Sequence, residues 1–578
     1  MGSAPTALFL YGELKIVAAL IRKINQVLGD PTLQRWLLGR AIGRWQAEPY
    51  HRLHPPYLNG RDLGKNENPQ SNYSDLSASS PEKQLKLNLA GEPLAIEPGD
   101  ERSLMERNFA DTESLLALHR FAWISTLESE CDPTWVNALW RVWIEVHSDP
   151  DADGWAWHPY TTAERLINIL AFAEQFGLPG PRERSLEVLS HHGPAIWKSL
   201  EYFGEINTGN HLTNNGRGLF LGGLGLGYED WADRGGEILI RESRRIFAPS
   251  GILREGSSHY HLLVTRWYAE CWLAAKAAGR PEAEKLGNIV EGALSQLPVF
   301  AMPGGLPLIG DVSPDCPPEY LAGLITGEKT GWLASLTEAD FDILDKARRQ
   351  LPFNPEQTAA DGWRQKRMGK WSALWHTAPE GWSEQPGHAH HDFGSFELHY
   401  GRTPIVRDLG RRSYGSAGDQ DVASEAHNSL SVDKQGPYPS NKPYYSKEFR
   451  KAVSAGLPKV TETASSVTIE SNSFSRIKNV GPWRRQWKFD EDGMAITDHI
   501  DGRGLHRIER HLHTTLPVSI QDDHVAVGPV KLVADGNAEI HPSAHWSAYG
   551  RREPATSITI VAEVELPWSG VINLDSRQ

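Results

Sequence analysis

The chain has 578 residues, a formal net charge of −14 at pH 7, 39% apolar and 23% charged residues. That length is too great for one compact core, so two large domains are expected. The acidic balance excludes a general nucleic-acid binder, which draws affinity from basic stripes that displace counterions.

Three scattered cysteines, Cys131, Cys271 and Cys316, form neither a disulfide framework nor a paired metal motif. A polyanionic substrate would need a local basic cleft working against the global charge; Arg217, Arg254, Arg407, Arg411 and Arg412 are available for one. The many tryptophans suit a sugar-binding cleft, although core packing is the commoner use of any single one.

In chain order, residues 7–11 are apolar but too few for a signal peptide or membrane span, and Glu13 and Lys15 follow at once. A cytoplasmic location is the default expectation, and a periplasmic or secreted one if the native start lies elsewhere. Val17, Leu20, Ile21, Ile24, Val27 and Leu28 recur at helical spacing and predict an amphipathic helix packed on its own domain. Residues 65–83 are polar, rich in Asn and Ser, and read as a surface loop. From 108 to 350 apolar residues recur at three and four, predicting helices over 111–127, 133–146, 161–176, 182–203, 212–226, 235–246, 260–278 and 282–297. Similar lengths, short connections and the lack of a repeated period favour an α/α toroid over a solenoid.

Around Leu351-Pro-Phe-Asn-Pro355 the texture changes. Period two takes over: Phe396, Leu398 and Tyr400 alternate with polar residues, and Val467 with Ile469, Met494 with Ile496, Val525 with Val527 and Ile558 with Ile560 continue the pattern. The expected layout is a helical domain over 1–350, a linker over 351–372 and an antiparallel β-sandwich over 373–578, with a cleft between the two domains.

Three stretches carry side chains that helix and strand packing does not call for. Asn207-Thr-Gly-Asn210-His211-Leu-Thr-Asn214-Asn215-Gly-Arg217 supplies four amides at a helix start, where a cap needs one. Tyr260 lies in Glu255-Gly-Ser-Ser-His259-Tyr260-His261; a phenol, with an unperturbed pKa of roughly 10, acts as a base only where a neighbour lowers that value, and then returns the proton equally well. Gly387-His388-Ala-His390-His391-Asp392 precedes a strand, and His-x-His puts two rings on one face, a geometry able to bind zinc with a carboxylate and a remote imidazole. His511-Leu-His513 is a reminder that alternate histidines also form ordinary polar faces. No His-Glu-x-x-His, Gly-x-Ser-x-Gly or phosphate-loop pattern occurs, which sets aside metalloprotease, α/β-hydrolase and P-loop readings.

In their order, Asn210-His211-Leu, the segment 255–261, the segment from Gly387 to Leu398 and Ala426-His427-Asn428-Ser-Leu-Ser-Val432 resemble the heparinase II/III superfamily of polysaccharide lyases. Leu118-His-Arg-Phe-Ala-Trp123 and His158-Pro-Tyr-Thr-Thr-Ala-Glu-Arg165-Leu-Ile-Asn168 are similar to helical-domain segments of members encoded with exopolysaccharide and O-antigen genes. The resemblance covers about residues 40 to 500. It implies an α+β multidomain chain, an incomplete (α/α) toroid followed by an antiparallel β-sandwich, and β-elimination at a uronic acid of an acidic polysaccharide or oligosaccharide. By position, Asn210 would hold the carboxylate, with His388 assisting or acting as an alternative base. His211 would be the base for one sugar epimer, and Tyr260 would protonate the leaving oxygen, serving as both base and acid for the other epimer. Asn207, Asn214, Arg217, Arg254, Glu255, His158 and Tyr160 are the candidate substrate-binding residues. His390, Asp408 and His427 match positions that hold a structural zinc in some relatives, and no organic cofactor is expected.

Two departures bear on the substrate more than on the reaction. His-His-Asp-Phe-Gly-Ser stands where small residues are usual, and Arg407-Asp408-Leu-Gly-Arg-Arg replaces the more usual Asp-x-Gly-Thr. Two other readings compete with elimination: a glycan-binding or assembly factor without turnover, and a glycoside hydrolase using Glu255 and Asp311.

Overall fold

The computed structural model describes residues 24, 27–28, 31–44, 52–64, 69, 72–77, 79–127, 131–151, 154–205, 207–379, 387–415, 418–438 and 457–576. The apolar residues 7–11, most of the amphipathic stretch 17–28 and parts of the polar segment 65–83 lie outside the described residues.

The main helices are α1 (Thr112–Arg120), α2 (Pro133–Val146), α3 (Pro159–Phe176), α4 (Arg182–Ser190), α5 (His192–Lys198), α6 (Asn210–Leu226), α7 (Glu229–Ile246), α8 (Ser258–Ala277) and α9 (Ala283–Leu294). Asp111, Asp132 and Ser257 start α1, α2 and α8 by accepting a backbone N–H from the first turn. Pro133 and Pro159 open α2 and α3, where the missing N–H is not needed. Helix α6 packs against both α3 and α7. It does so closely because its glycines leave room: a Cβ on Gly218 would lie 2.6 Å from Ala163 Cβ.

Two expected helices are interrupted. The stretch 111–127 breaks at Phe121, buried and left-handed with φ 53°. There Arg165 Nη1 donates to His119 O and Asn168 Nδ2 to Arg120 O, so α3 satisfies carbonyls that the break leaves open. The stretch 182–203 divides after Ser190 and ends at Lys198. Pro194, having no N–H, cannot carry the ladder of α4 onward.

Among the described residues, the strands pair antiparallel, and only the isolated bridges Asp75–Leu178 and Gly410–Trp546 are parallel. A hairpin, β1 (Leu85–Leu89) and β2 (Glu92–Ile96), packs into the helical core. Beyond it, a four-stranded sheet, β3 (Trp363–Met368), β4 (Trp371–His376), β5 (Glu397–Tyr400) and β6 (Thr403–Val406), faces a ten-stranded one built on the long strands β7 (Gly493–Thr514) and β8 (Arg551–Asp575). The two share one core, with Trp375 and Phe396 at 5.6 and 5.7 Å from the Trp487 ring. Val467, Ile469, Met494, Ile496, Val525, Val527, Ile558 and Ile560 are all buried there, as their period requires. His511 and His513, on β7, are buried as well.

An incomplete (α/α) toroid followed by an antiparallel β-sandwich is therefore the observed order. The sandwich begins at Trp363, inside the stretch expected as a linker. Trp-Arg-Gln-Lys-Arg-Met alternates too weakly to announce a strand, yet Trp363 and Leu374 pack into the helical core and fasten the two halves together.

Candidate active site

Helix α6 begins at Asn210 behind Gly209, which has no side chain to cap it. Glu255 takes that role from outside: its Oε1 accepts from Asn210 N and its Oε2 from Asn210 Nδ2, both at 2.7 Å. A carboxylate is well placed at a helix N-terminus. A Cβ at 209 would lie 2.7 Å from Glu255 Oε1, so a larger residue there would have to displace the carboxylate that caps the helix.

The second hydrogen of the Asn210 amide faces His388 Nε2 at 2.8 Å. His388 comes from the segment leading into β5 and is fixed by its own backbone, with N bonded to Glu255 O and O to Asp311 N. Asp311 accepts from His388 Nδ1 at 3.0 Å and from His390 Nε2 at 2.7 Å, and Arg411 Nε lies 3.4 Å away. Burial works against ionisation of Asp311, but Arg411 and the two imidazoles hold its carboxyl far below the usual range. With Nδ1–H given to Asp311, His388 keeps its Nε2 lone pair toward Asn210, the tautomer of a base.

Tyr260, in the first turn of α8, stacks on His388 with ring centroids 3.4 Å apart and planes 17° off parallel. Its hydroxyl is 2.9 Å from that of Tyr414, which can donate to Val312 O at 3.4 Å. Burial raises the Tyr260 phenol well above its ordinary pKa, against the lowering effect of the Tyr414 hydrogen bond, so it rests protonated.

On the other side of Asn210, His211 Nδ1 donates to Glu201 Oε1 at 2.8 Å. Glu201 also accepts from Asn215 Nδ2 at 3.1 Å, and His158 Nε2 lies 3.5 Å from it. The ring of Tyr160 is 4.6 Å from that of His211, and Arg120, paired with Glu113 and Asp315, lies over Tyr160.

The fold thus joins Asn210, His211, Glu255, Tyr260, His388, His158 and Tyr160. Asn214 and Arg217, expected at the substrate, are fully buried instead. Arg217 donates to Glu164, Glu270 and Asn214, and the Asn214 amide reaches Tyr160 O at 3.4 Å, so both tie helices together. Asn207 is exposed on the turn before α6, and Arg254, also exposed, donates from Nε to Phe247 O. Glu201, Asp311 and Tyr414 complete the cluster, although the sequence marked Asp311 only as a hydrolase carboxylate and the other two not at all.

His390, Asp408 and His427 bring one potential ligand atom each within 4.8 Å of one another, all buried. His427 Nδ1 bonds Asp408 Oδ2 at 2.7 Å. His390 Nδ1 and His427 Nε2 are buried and have no hydrogen-bond partner among the described residues, so the set fits a small cation of nitrogen and oxygen preference.

Residues 354–569 match the family described as Heparinase II/III-like, C-terminal. No curated protein matches the chain. Among solved structures, a heparinase III superposes with a TM-score of 0.57 at 16% identity, covering 81% of this chain and 78% of that one. A second heparinase III gives 0.51 at 14%, covering 94% and 90%. A mutant of the heparan sulfate lyase HepC from Pedobacter heparinus gives 0.51 at 14%, covering 84% and 80%. At such identities the likeness is one of fold. Among the described residues, no helix is long and apolar enough to cross a membrane.

Proposed function

We propose, from a chain whose C-terminal domain belongs to the heparinase II/III superfamily and whose fold is that of its lyases, that this protein cleaves a uronate-containing polysaccharide or oligosaccharide by β-elimination. The observation that carries the reading is the meeting of Asn210, Tyr260 and His388, from the helical domain and the sandwich, in one hydrogen-bonded and stacked cluster.

Elimination must remove a weakly acidic proton alpha to a carboxylate while charge builds on that carboxylate. A preorganised donor to the developing charge contributes roughly 3 kcal/mol at best. Both Asn210 amide hydrogens are engaged at rest, one by Glu255 and one by His388. Exchanging the second bond for the substrate carboxylate binds the acid and frees the His388 Nε2 lone pair in the same movement. For one epimer His388 then takes the α-proton, the electron pair forms the new double bond, the glycosidic carbon–oxygen bond breaks, and Tyr260 protonates the departing oxygen. Burial keeps the Tyr260 phenol protonated at rest, which suits it as the acid and not to the further task of base that the resemblance implied for the other epimer. Hydrolysis is less well served: Glu255 is engaged with Asn210, and Asp311, held ionised by three neighbours, is no acid.

The test is ultraviolet absorbance on incubation with alginate, hyaluronan, chondroitin, heparan and bacterial capsular uronates, with mass spectrometry of the products. An unsaturated uronate end, one water lighter than the hydrolytic product, is expected. A saturated product overturns elimination.

Zinc, if bound by His390, Asp408 and His427, would brace the segment that carries His388, two residues from His390. Purified protein is expected to contain about one zinc per chain, with three protein ligands and a fourth position left open. His427→Ala should lose it, with a lower unfolding midpoint read by calorimetry.

Trp155 is the one exposed tryptophan among residues of described exposure, at 48%, and its ring packs 5.5 Å from His158. It is suited to stack on a sugar ring flanking the cleft. Trp155→Ala is expected to raise KM roughly fivefold, the equivalent of about 1 kcal/mol of aromatic contact, with kcat unchanged.

A further inference from the structure

Glu201 poses a charge problem with one available answer. Its residue is 2% exposed. Among the described residues no lysine or arginine pairs with it, and its side-chain partners are His211 at 2.8 Å, Asn215 at 3.1 Å and His158 at 3.5 Å. A buried carboxylate stays ionised only where a cation or strong donors answer it. His158 is a poor cation, because burial takes its pKa down to about 4. His211 remains, with Nδ1 on Glu201 and a side chain 49% exposed beside Asn210.

We propose that Glu201 holds His211 as an imidazolium, and that His211 binds the carboxylate of a uronate in the cleft as a cation and does not act as the base. The inference rests on reading the cleft as a uronate site and assigns its histidines different tasks. His388 has the lone pair of a base; His211 is locked in an ion pair on one nitrogen and offers Nε2–H on the other.

The groups facing His211 agree with this. Desolvation disfavours the charged ring, but Glu201, on the segment before α6, outweighs it by charge and hydrogen bond. Glu255, before α8, acts in the same direction, and Arg120, at the end of α1, opposes. His158 and Tyr160, at the start of α3, stay neutral, the first lowered and the second raised by burial. The net direction for His211 is upward, and Glu201, despite its own burial, is taken down to about 2. Glu201 is thus a positioning residue that acts through His211.

The test uses the full chain labelled with 15N-histidine, with His211→Gln to assign the signal. At pH 7.5 both His211 nitrogens are expected to be protonated. Glu201→Gln should return the ring to the neutral form, and Glu201→Asp should retain the charge. Sodium glucuronate should bind the wild type roughly tenfold or more tightly than Glu201→Gln, the usual effect of losing a charge-assisted hydrogen bond, while its methyl ester shows no such difference. A neutral His211 at pH 7.5, or equal glucuronate affinity in the two proteins, overturns the proposal. If no polymer yields an unsaturated product while these signals behave as stated, the lyase reading fails and the carboxylate site stands. If product forms at a rate that rises as His211 loses its proton, the lyase reading stands and His211 is the base.

Discussion

Tyr260→Phe is expected to lower turnover of the uronate polymer by about 10² to 10⁴-fold, the usual contribution of a positioned proton donor. Phenylalanine keeps the ring that stacks on His388 and takes away only the hydroxyl that meets Tyr414. The fold should therefore persist. One hydrogen bond contributes roughly 1 kcal/mol net, and the Tyr414 hydroxyl keeps Val312 O within reach. Because the phenol rests protonated, with its pKa raised by burial, it is a ready acid across the physiological range. The loss should appear in kcat more than in KM, since the proton is given as the glycosidic bond breaks. Initial rates from the ultraviolet signal, beside circular dichroism of both proteins, measure it. Wild-type turnover by a folded Tyr260→Phe protein would sink the assignment.

The parts of this site that were legible in the sequence are those that coincide with element starts. Asn210 and Tyr260 stand in the first turns of α6 and α8, where periodicity and caps mark the position, and His388 precedes a strand signalled by alternation. Glu201 lies past Lys198, where the helix ends short of the expected 203, and Tyr414 lies in an irregular segment where neither period applies. They become site residues only because α6 and α8 carry Asn215, His211 and Tyr260 to them. The converse error concerned Asn214 and Arg217. Polar residues one and two turns inside a helix read as a cleft surface, but here α6 lies between α3, α7 and α8, and Asn214 and Arg217 are enclosed. The break at Phe121 was hidden for a related reason. Left-handed backbone at a bulky residue is rare, and what holds it there comes from α3, about 45 residues away.

Arg217→Ala is expected to destabilise the helical domain by about 3 to 5 kcal/mol, the range for removing one member of a buried ion network. The guanidinium is 0% exposed. It donates to Glu164 on α3 at 2.7 Å, to Glu270 on α8 at 2.9 Å and to Asn214 at 3.1 Å. Glu270 would retain Arg266 at 2.7 Å, whereas Glu164, also buried, would lose the only cation paired with it among the described residues. The severity therefore comes from Glu164. Adding Glu164→Gln to Arg217→Ala should restore part of the loss, because an uncharged amide is less costly to bury than an unpaired carboxylate. Urea unfolding of the single and double variants measures both terms. Salt up to 0.5 M should change little, since the pairs are shielded from solvent ions. The same three helices carry Asn210, Tyr160 and Tyr260, so the Arg217→Ala protein should lose activity at temperatures where it remains folded. Full activity of the Arg217→Ala protein up to its unfolding temperature would mean that the site keeps its geometry without this network.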